Sequence, residues 1–329
     1  MTAGAASGSL AGLPARRRRL RSRIAVRLLG PAAWLLRRLP DRLLHRLAHR
    51  LGGLLYLVQR RRRRLVEANL GHVCGWLAAE GLATAVVAAA AADRRALSRL
   101  AREAYGHYVR AYLESLILER YAGRALAERL SADDPALVER AFGAGAGRGR
   151  PLLLVGLHFG AIEVPGLWVS AQGIPLSSPM ETLDDPDFQA FLLDRRGASG
   201  LTLVPLAGAH RVLSERLAAG EGVAIVADRL VGGSGARVEL FGAPARLPIG
   251  PAVLALESGA EAWAVATRRT GPGDYRTRIE PIAMPAEGTR RERLAGFMAG
   301  QARAFERLIS DAPEQWWTLF FPIWREEGK

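Results

Sequence analysis

In the stretch PLLLVGLHFGAIEVPGLW, residues 151–168, His158 stands five residues before Glu163. A neutral imidazole can take a proton from a hydroxyl, and a nearby carboxylate can orient the ring and stabilise the imidazolium that forms. Residues five apart on an ideal helix are rotated by roughly 140° and share no face. Cooperation therefore requires His158 on a turn and Glu163 in the first turn of the helix that follows, where a carboxylate also suits the helix dipole. Gly156 and Gly160 make such a turn sterically accessible. An ordinary strand-to-helix loop, with a capping glutamate and a satisfied histidine, fits the same residues, and the pair alone does not choose between the two.

The elements that must position this pair can be read from the pattern around it. The apolar run 152–155, bounded by proline and glycine, predicts a buried strand. Further strand-like runs at 201–205, 222–227, 237–241, 262–266 and 275–279 alternate with helix-like runs at 162–171, 186–196, 209–219, 251–258 and 290–309. That alternation predicts an α/β fold: a central mixed sheet flanked by helices on both faces. Ahead of it lie a flexible basic tail (1–23) and an N-terminal helical, membrane-facing segment (24–142), with helices over 42–59, 83–92, 93–120 and 135–142. Asp41, after Pro40, is a candidate cap for the first of these. The α/β core occupies 143–329, and the chain from about residue 24 reads as one continuous globular unit. GAGAGRG, residues 143–149, precedes the first strand and lacks the Lys-Ser/Thr of a P-loop, so it reads as a flexible joint.

The chain has 329 residues, 49% of them hydrophobic, which is ample for a core. Forty-six basic against 32 acidic residues give a net charge of +14. Much of the excess precedes residue 65 and flanks apolar helical stretches. Basic and apolar residues together suit an anionic membrane surface, and no nucleic-acid-binding pattern accompanies them. Leu43, Leu44, Leu47, Leu51, Leu54, Leu55 and Val58 recur at helical spacing, a face that can pack on the core, meet a membrane, or both. No uncharged run reaches the roughly 20 residues needed to span a bilayer. Arginines interrupt the one stretch that looks like a signal peptide. The expected location is peripheral, on the cytoplasmic face of the cell membrane. Cys74, the single cysteine, reads as a small buried hydrophobe, and no metal-ligand cluster is evident.

Other polar residues fall at the ends of predicted elements. Glu181 follows the turn at Pro179. Arg195 and Arg196 lie near the end of a helix, where positive charge suits the dipole and where a phosphate is also well met. Asp228 and Arg229 follow the strand 223–227, a position equally open to a local ion pair. Four blocks then stand in order: H-x4-E; METLDDPDFQAFLLDRRG; the DR-L, V-E-L-F-G and P-I-G-P-A-V-L-A-L sequence; and P-E-Q-W-W at 313–317. Together they resemble the glycerolipid acyltransferase superfamily, and within it the branch of the bacterial lipid A (lauroyl/myristoyl) acyltransferases and the phosphatidylinositol mannoside acyltransferases. Glu239, in V-E-L-F-G, resembles the mannoside-acylating group more closely. The loop after His158 reads Gly160-Ala161-Ile162 where these families usually carry Asn-Trp.

The resemblance implies an O-acyltransferase without metal or cofactor, moving a fatty acyl group from acyl-CoA or an acyl carrier protein to a glycolipid hydroxyl. It implies His158 and Glu163 as a catalytic dyad, and Glu181, Arg196, Asp228, Arg229 and Glu239 as substrate-binding or supporting residues. The tryptophans of the last block read as core, with interfacial lipid contact as the alternative. Rival readings are a lipid A acyltransferase using acyl carrier protein and a non-enzymatic membrane-binding protein on the same fold. A serine hydrolase is disfavoured by the lack of G-x-S-x-G.

Overall fold

The aliphatic run at residue 152 forms a longer strand than its hydrophobic stretch suggests. It continues through His158 to Gly160. In the computed structural model the described residues are 29–121, 126, 128–181, 189–191, 193, 200–230 and 234–324. In chain order the main sheet contains β1 (Leu130–Ala132), β2 (Leu152–Gly160), β3 (Leu176–Met180), β4 (Leu201–Pro205), β5 (Gly222–Val226), β8 (Glu261–Gly271) and β9 (Asp274–Ile282). Its spatial order is β1-β9-β8-β2-β5-β3-β4. Among the described strands of this sheet only β8 and β9 pair antiparallel, so the sheet is mixed. β2 lies at its centre, parallel to both β8 and β5.

Side chains alternate across a strand, and both faces of β2 are apolar. Leu153, Val155, Leu157 and Phe159 join one core with Leu213 and Leu217 of a helix at Ala209–Ala218 and Phe297 and Phe305 of a helix at Arg290–Ile309. Leu152 and Leu154 join another with Ala141 of the helix Pro135–Phe142 and Val169 of the helix Glu163–Ala171. Helices therefore cover both faces, as the alternation predicts.

Ahead of the sheet run the helices α1 (Asp41–Val58), α2 (Arg60–Ala79), α3 (Ala85–Ala92) and α4 (Arg94–Ser115). Val66 and Leu70 of α2 and Leu100 and Tyr105 of α4 belong to the same core as the sheet. Cys74 is fully buried there, and burial pushes its thiol up to about 12, in keeping with a packing role. The leucine stripe of α1 divides. Leu44 is buried and Leu55 packs on the core, while Leu43, Leu47, Leu51, Leu54 and Val58 are exposed, together with Leu57. Among the described residues no helix is long and apolar enough to cross a membrane.

Three local expectations are corrected. Asp41 does not cap α1, whose N-cap Pro40 makes no side-chain capping bond; instead it pairs with Arg110, Arg120 and Arg129. The glycine-rich segment is no flexible joint. Gly149 N–H donates to Gly220 at 3.0 Å and Gly147 N–H to Arg150 at 2.7 Å, with Ala146 fully buried. Gly147 has φ +63°, and a Cβ there would stand 2.4 Å from Ile174 Cγ2, so glycine marks tight packing. The strand expected at 237–241 is half of a separate hairpin, β6 (Gly235–Leu240) and β7 (Ala243–Pro248). Its turn places Phe241 at φ 51° and Gly242 at φ 70°, the positive pair of a primed turn. Phenylalanine is unusual there; its fully buried ring packs against Trp76, Trp316 and Trp324, and its N–H donates to Glu306 at 2.6 Å.

A buried ionic network ties α4 to the sheet beside the site. Glu114 accepts from Arg110 at 2.8 Å, from Tyr275 at 3.1 Å and from both Nε and Nη2 of Arg269. Burial pushes the Glu114 carboxyl up, but the two guanidiniums outweigh it and hold it below the usual range. Glu114→Ala strands two buried cations, so it is expected to cost about 3–5 kcal/mol of stability, measurable by urea denaturation.

Candidate active site

The carboxyl end of β2 meets the carboxyl end of β5. Their last paired residues are Gly156 and Val226, and Ala227 N–H donates to the Gly156 carbonyl at 3.0 Å. Two residues further on each chain stand His158 and Asp228, in step with one another. Parallel neighbours in register share a face, so the two side chains converge. The β2–β8 pairing shifts register between Gly156 and Gly160, which frees this end of β2 from a regular ladder. Gly160 is required there: its φ is +49°, and a Cβ would lie 2.1 Å from the Thr267 carbonyl oxygen.

His158 Nδ1 and Asp228 Oδ1 are 2.7 Å apart. Asp228 is fully buried at its side chain, whereas that of His158 is 28% exposed. The other carboxylate oxygen, Oδ2, accepts from the Trp316 indole at 2.8 Å and from the Thr318 hydroxyl at 2.6 Å. Burial alone pushes the Asp228 carboxyl up; His158 and the Thr318 and Trp316 hydrogen bonds outweigh it and bring it down to about 2. A permanent carboxylate at Nδ1 assigns the ring proton to that nitrogen and leaves Nε2 with its lone pair for a substrate proton. The result is a histidine prepared as a general base, partly open to solvent and backed by a dry acid.

This arrangement revises the expected dyad. The acid at His158 Nδ1 is Asp228, on the neighbouring strand, and not Glu163. Glu163 opens its helix, as expected, and lines a crevice of about 10 Å³ with Trp317, Glu114, Arg269 and Tyr275, room for one water at most. Glu181 directly follows β3 and is partly exposed. Arg229 lines a larger cavity with Asp228, and its guanidinium lies 4.3 Å from the centre of the Phe321 ring. Glu239 sits on the exposed face of β6, opposite Pro244 of β7. Arg196, and with it Arg195, lies outside the described residues.

Sequence reasoning missed two supporting residues: Trp316, read as core or lipid contact, and Thr318, which no motif marks. Trp316 is indeed fully buried, yet its N–H serves Asp228. Gln315 fixes the block in place: its side chain accepts from the Arg269 N–H and donates to the Arg269 carbonyl, both at 2.9 Å. Trp316→Phe removes a charge-assisted bond to a buried carboxylate, and a loss of about 1.5–3 kcal/mol of stability is expected in denaturant titration.

Glu314, in the same block, is shifted the other way. Burial, reinforced by Glu103, pushes its carboxyl up to about 7 against the pull of its own backbone N–H. An acid raised by folding keeps a proton that the unfolded chain has released. The stability of neutral Glu314 is therefore full below its ordinary value of 4.5 and is lost as pH rises towards about 7. Glu314→Gln removes this decline, so the variant's stability relative to wild type should rise from about pH 5 to about pH 7.5 in paired thermal melts.

Fold and site together define an α/β protein with a carboxylate-oriented histidine at the carboxyl edge of its sheet, an arrangement suited to general-base chemistry. Residues 15–326 match the family described as bacterial lipid A biosynthesis acyltransferase, and the chain belongs to that family. It is 33% identical over 162 residues to a phosphatidylinositol mannoside acyltransferase of Mycobacterium tuberculosis, a match covering 48% of this chain and 50% of that protein. It is 28% identical over 225 residues to the phosphatidylinositol mannoside acyltransferase of Mycolicibacterium smegmatis, covering 67% of this chain and 71% of that protein. The match thus spans half the length of the first relative and somewhat over two thirds of the second.

Proposed function

We propose that this protein is a membrane-associated O-acyltransferase that moves a fatty acyl group from a thioester, acyl-CoA, to a hydroxyl of a glycolipid such as the mannose of a phosphatidylinositol mannoside. The observation that carries this reading is the His158–Asp228 couple, 2.7 Å apart, in a chain whose relatives include mannoside acyltransferases. As the acceptor hydroxyl attacks the thioester carbonyl, His158 Nε2 takes its proton. Asp228 compensates the imidazolium, which later returns the proton to the departing thiolate. Glu163 stays a candidate supporting acid, with Glu181, Glu239, Arg229 and Arg196 as candidate substrate contacts. Incubating the full-length protein with labelled acyl-CoA and purified phosphatidylinositol mannoside tests the reading, with label in the acceptor as the expected product. Transfer only from an acyl carrier protein to a lipid A precursor would favour a second reading, which the family description supports.

The same proposal seats the protein on the cytoplasmic face of an anionic membrane. Leu43, Leu47, Leu51, Leu54 and Leu57 form an exposed stripe on α1, and five consecutive arginines, Arg60 to Arg64, follow it. An apolar face edged by arginines gains from both lipid burial and anionic headgroups. Vesicle sedimentation should show binding that falls with added salt and falls further in a Leu47→Ser/Leu51→Ser/Leu54→Ser variant; equal binding to uncharged vesicles would remove the electrostatic part.

A further inference from the structure

The β6–β7 hairpin carries a feature that hairpins ordinarily avoid. Arg237 of β6 and Arg246 of β7 are directly opposed in the antiparallel register, and both are on its exposed face. Like charges directly across a strand pair repel. Both arginines, with Arg229, line a cavity of about 360 Å³ that reaches Asp228 and Thr318 and is also lined by Ile323. That volume lies within the range of ligand pockets. Arg246 Nη2 donates to the Gly235 carbonyl at 3.1 Å, which fixes one arm of its fork. The Nε of Arg229 is buried and finds no hydrogen-bond partner among the described residues.

We infer that this cavity is a phosphate seat, built by Arg229, Arg237 and Arg246, for the phosphate-bearing end of one of the two substrates. Three guanidiniums around one concavity supply forked donors whose geometry matches phosphate oxygens. Among the described residues that line the cavity the acid is Asp228, which is already committed to His158, Trp316 and Thr318. Glu239 shares the exposed face of the hairpin but does not line the cavity. Because Asp228 and Thr318 belong to both places, a phosphate held here sets the rest of its molecule at the edge of the histidine site.

The choice of substrate rests on the acyl-transfer reading; the phosphate seat rests on the arginines. Phosphate could arrive on coenzyme A or on the inositol phosphate of the acceptor. Calorimetric titration of the full chain with coenzyme A, and separately with glycerophosphoinositol, distinguishes them without any turnover. One of these is expected to bind, more weakly at high salt, and to lose about tenfold or more in affinity in an Arg237→Gln/Arg246→Gln variant. Weakened coenzyme A binding assigns the seat to the acyl donor, and weakened glycerophosphoinositol binding assigns it to the acceptor. Arg211→Gln, an exposed arginine elsewhere, should change neither, and melting curves check that each variant is folded. If neither compound binds wild type, or if the double variant binds both as wild type does, the seat does not exist. A protein that binds through these arginines but transfers no acyl group would refute the proposed function and leave the seat standing.

Discussion

Asp228→Asn is expected to lower kcat for acyl transfer by about 10⁴-fold with little change in KM, the scale known for orienting carboxylates in acyl-transfer triads. The reason is tautomeric. Trp316 and Thr318 both donate to Oδ2, so an asparagine must turn its carbonyl oxygen towards them. Its NH₂ then faces His158 Nδ1, which can only accept. The ring proton moves to Nε2, and the nitrogen that should receive the substrate proton already carries one. Steady-state kinetics with saturating acyl-CoA measures the loss, and nitrogen NMR of the imidazole reads the tautomer directly. Glu163→Gln is the companion: it leaves the Nδ1 partner intact, so its loss should be smaller. If Glu163→Gln proved as damaging as Asp228→Asn, the acid would have been misassigned. Acid stability provides a separate check. The depressed Asp228 carboxyl contributes stability above its ordinary value of 3.8, and that stability is lost as pH falls towards about 2. The asparagine variant lacks this limb.

His158→Ala is expected to reduce turnover by about 10²–10⁴-fold, the usual contribution of a general base. The side chain is partly exposed at a strand end, so the fold should survive. Asp228 would keep its Trp316 and Thr318 donors but lose its third partner, at a cost of about 1–3 kcal/mol in chemical denaturation. Added imidazole should restore part of the rate if the loss is that of a base. Wild-type transfer by the alanine variant would end the proposed mechanism.

The pieces of this site differ in how plainly the chain announces them. The strand at 152–155, the helix after it and the histidine between them follow from apolar runs and glycine, all local properties. The pairing of His158 with Asp228 is not local. It depends on β2 and β5 becoming neighbours in one particular register, which no spacing within H-x4-E can report. Glu163, the acid within the motif that carries the family resemblance, is local to the histidine, whereas Asp228 is 70 residues away in sequence. Trp316 was legible as core and is core; that its one polar atom faces a buried carboxylate follows only from the tertiary arrangement. The β6–β7 turn was hidden because Phe241-Gly242 lacks the Asn-Gly signature, its conformation being imposed by three tryptophans. The glycines at 143–149 suggested looseness by composition, whereas Ile174 and Gly220 press against them from distant parts of the chain.

The acid–base couple is completed by residues 88 and 90 positions downstream of Asp228. During translation the histidine and the aspartate are thus made well before the indole and hydroxyl that hold the acid's far oxygen. A nascent chain carrying only the two strands lacks both donors, and the couple takes its full set of partners when the segment after the Arg290–Ile309 helix folds back on the sheet. Docking of that later-made segment is thus a folding step on which the geometry of the couple depends.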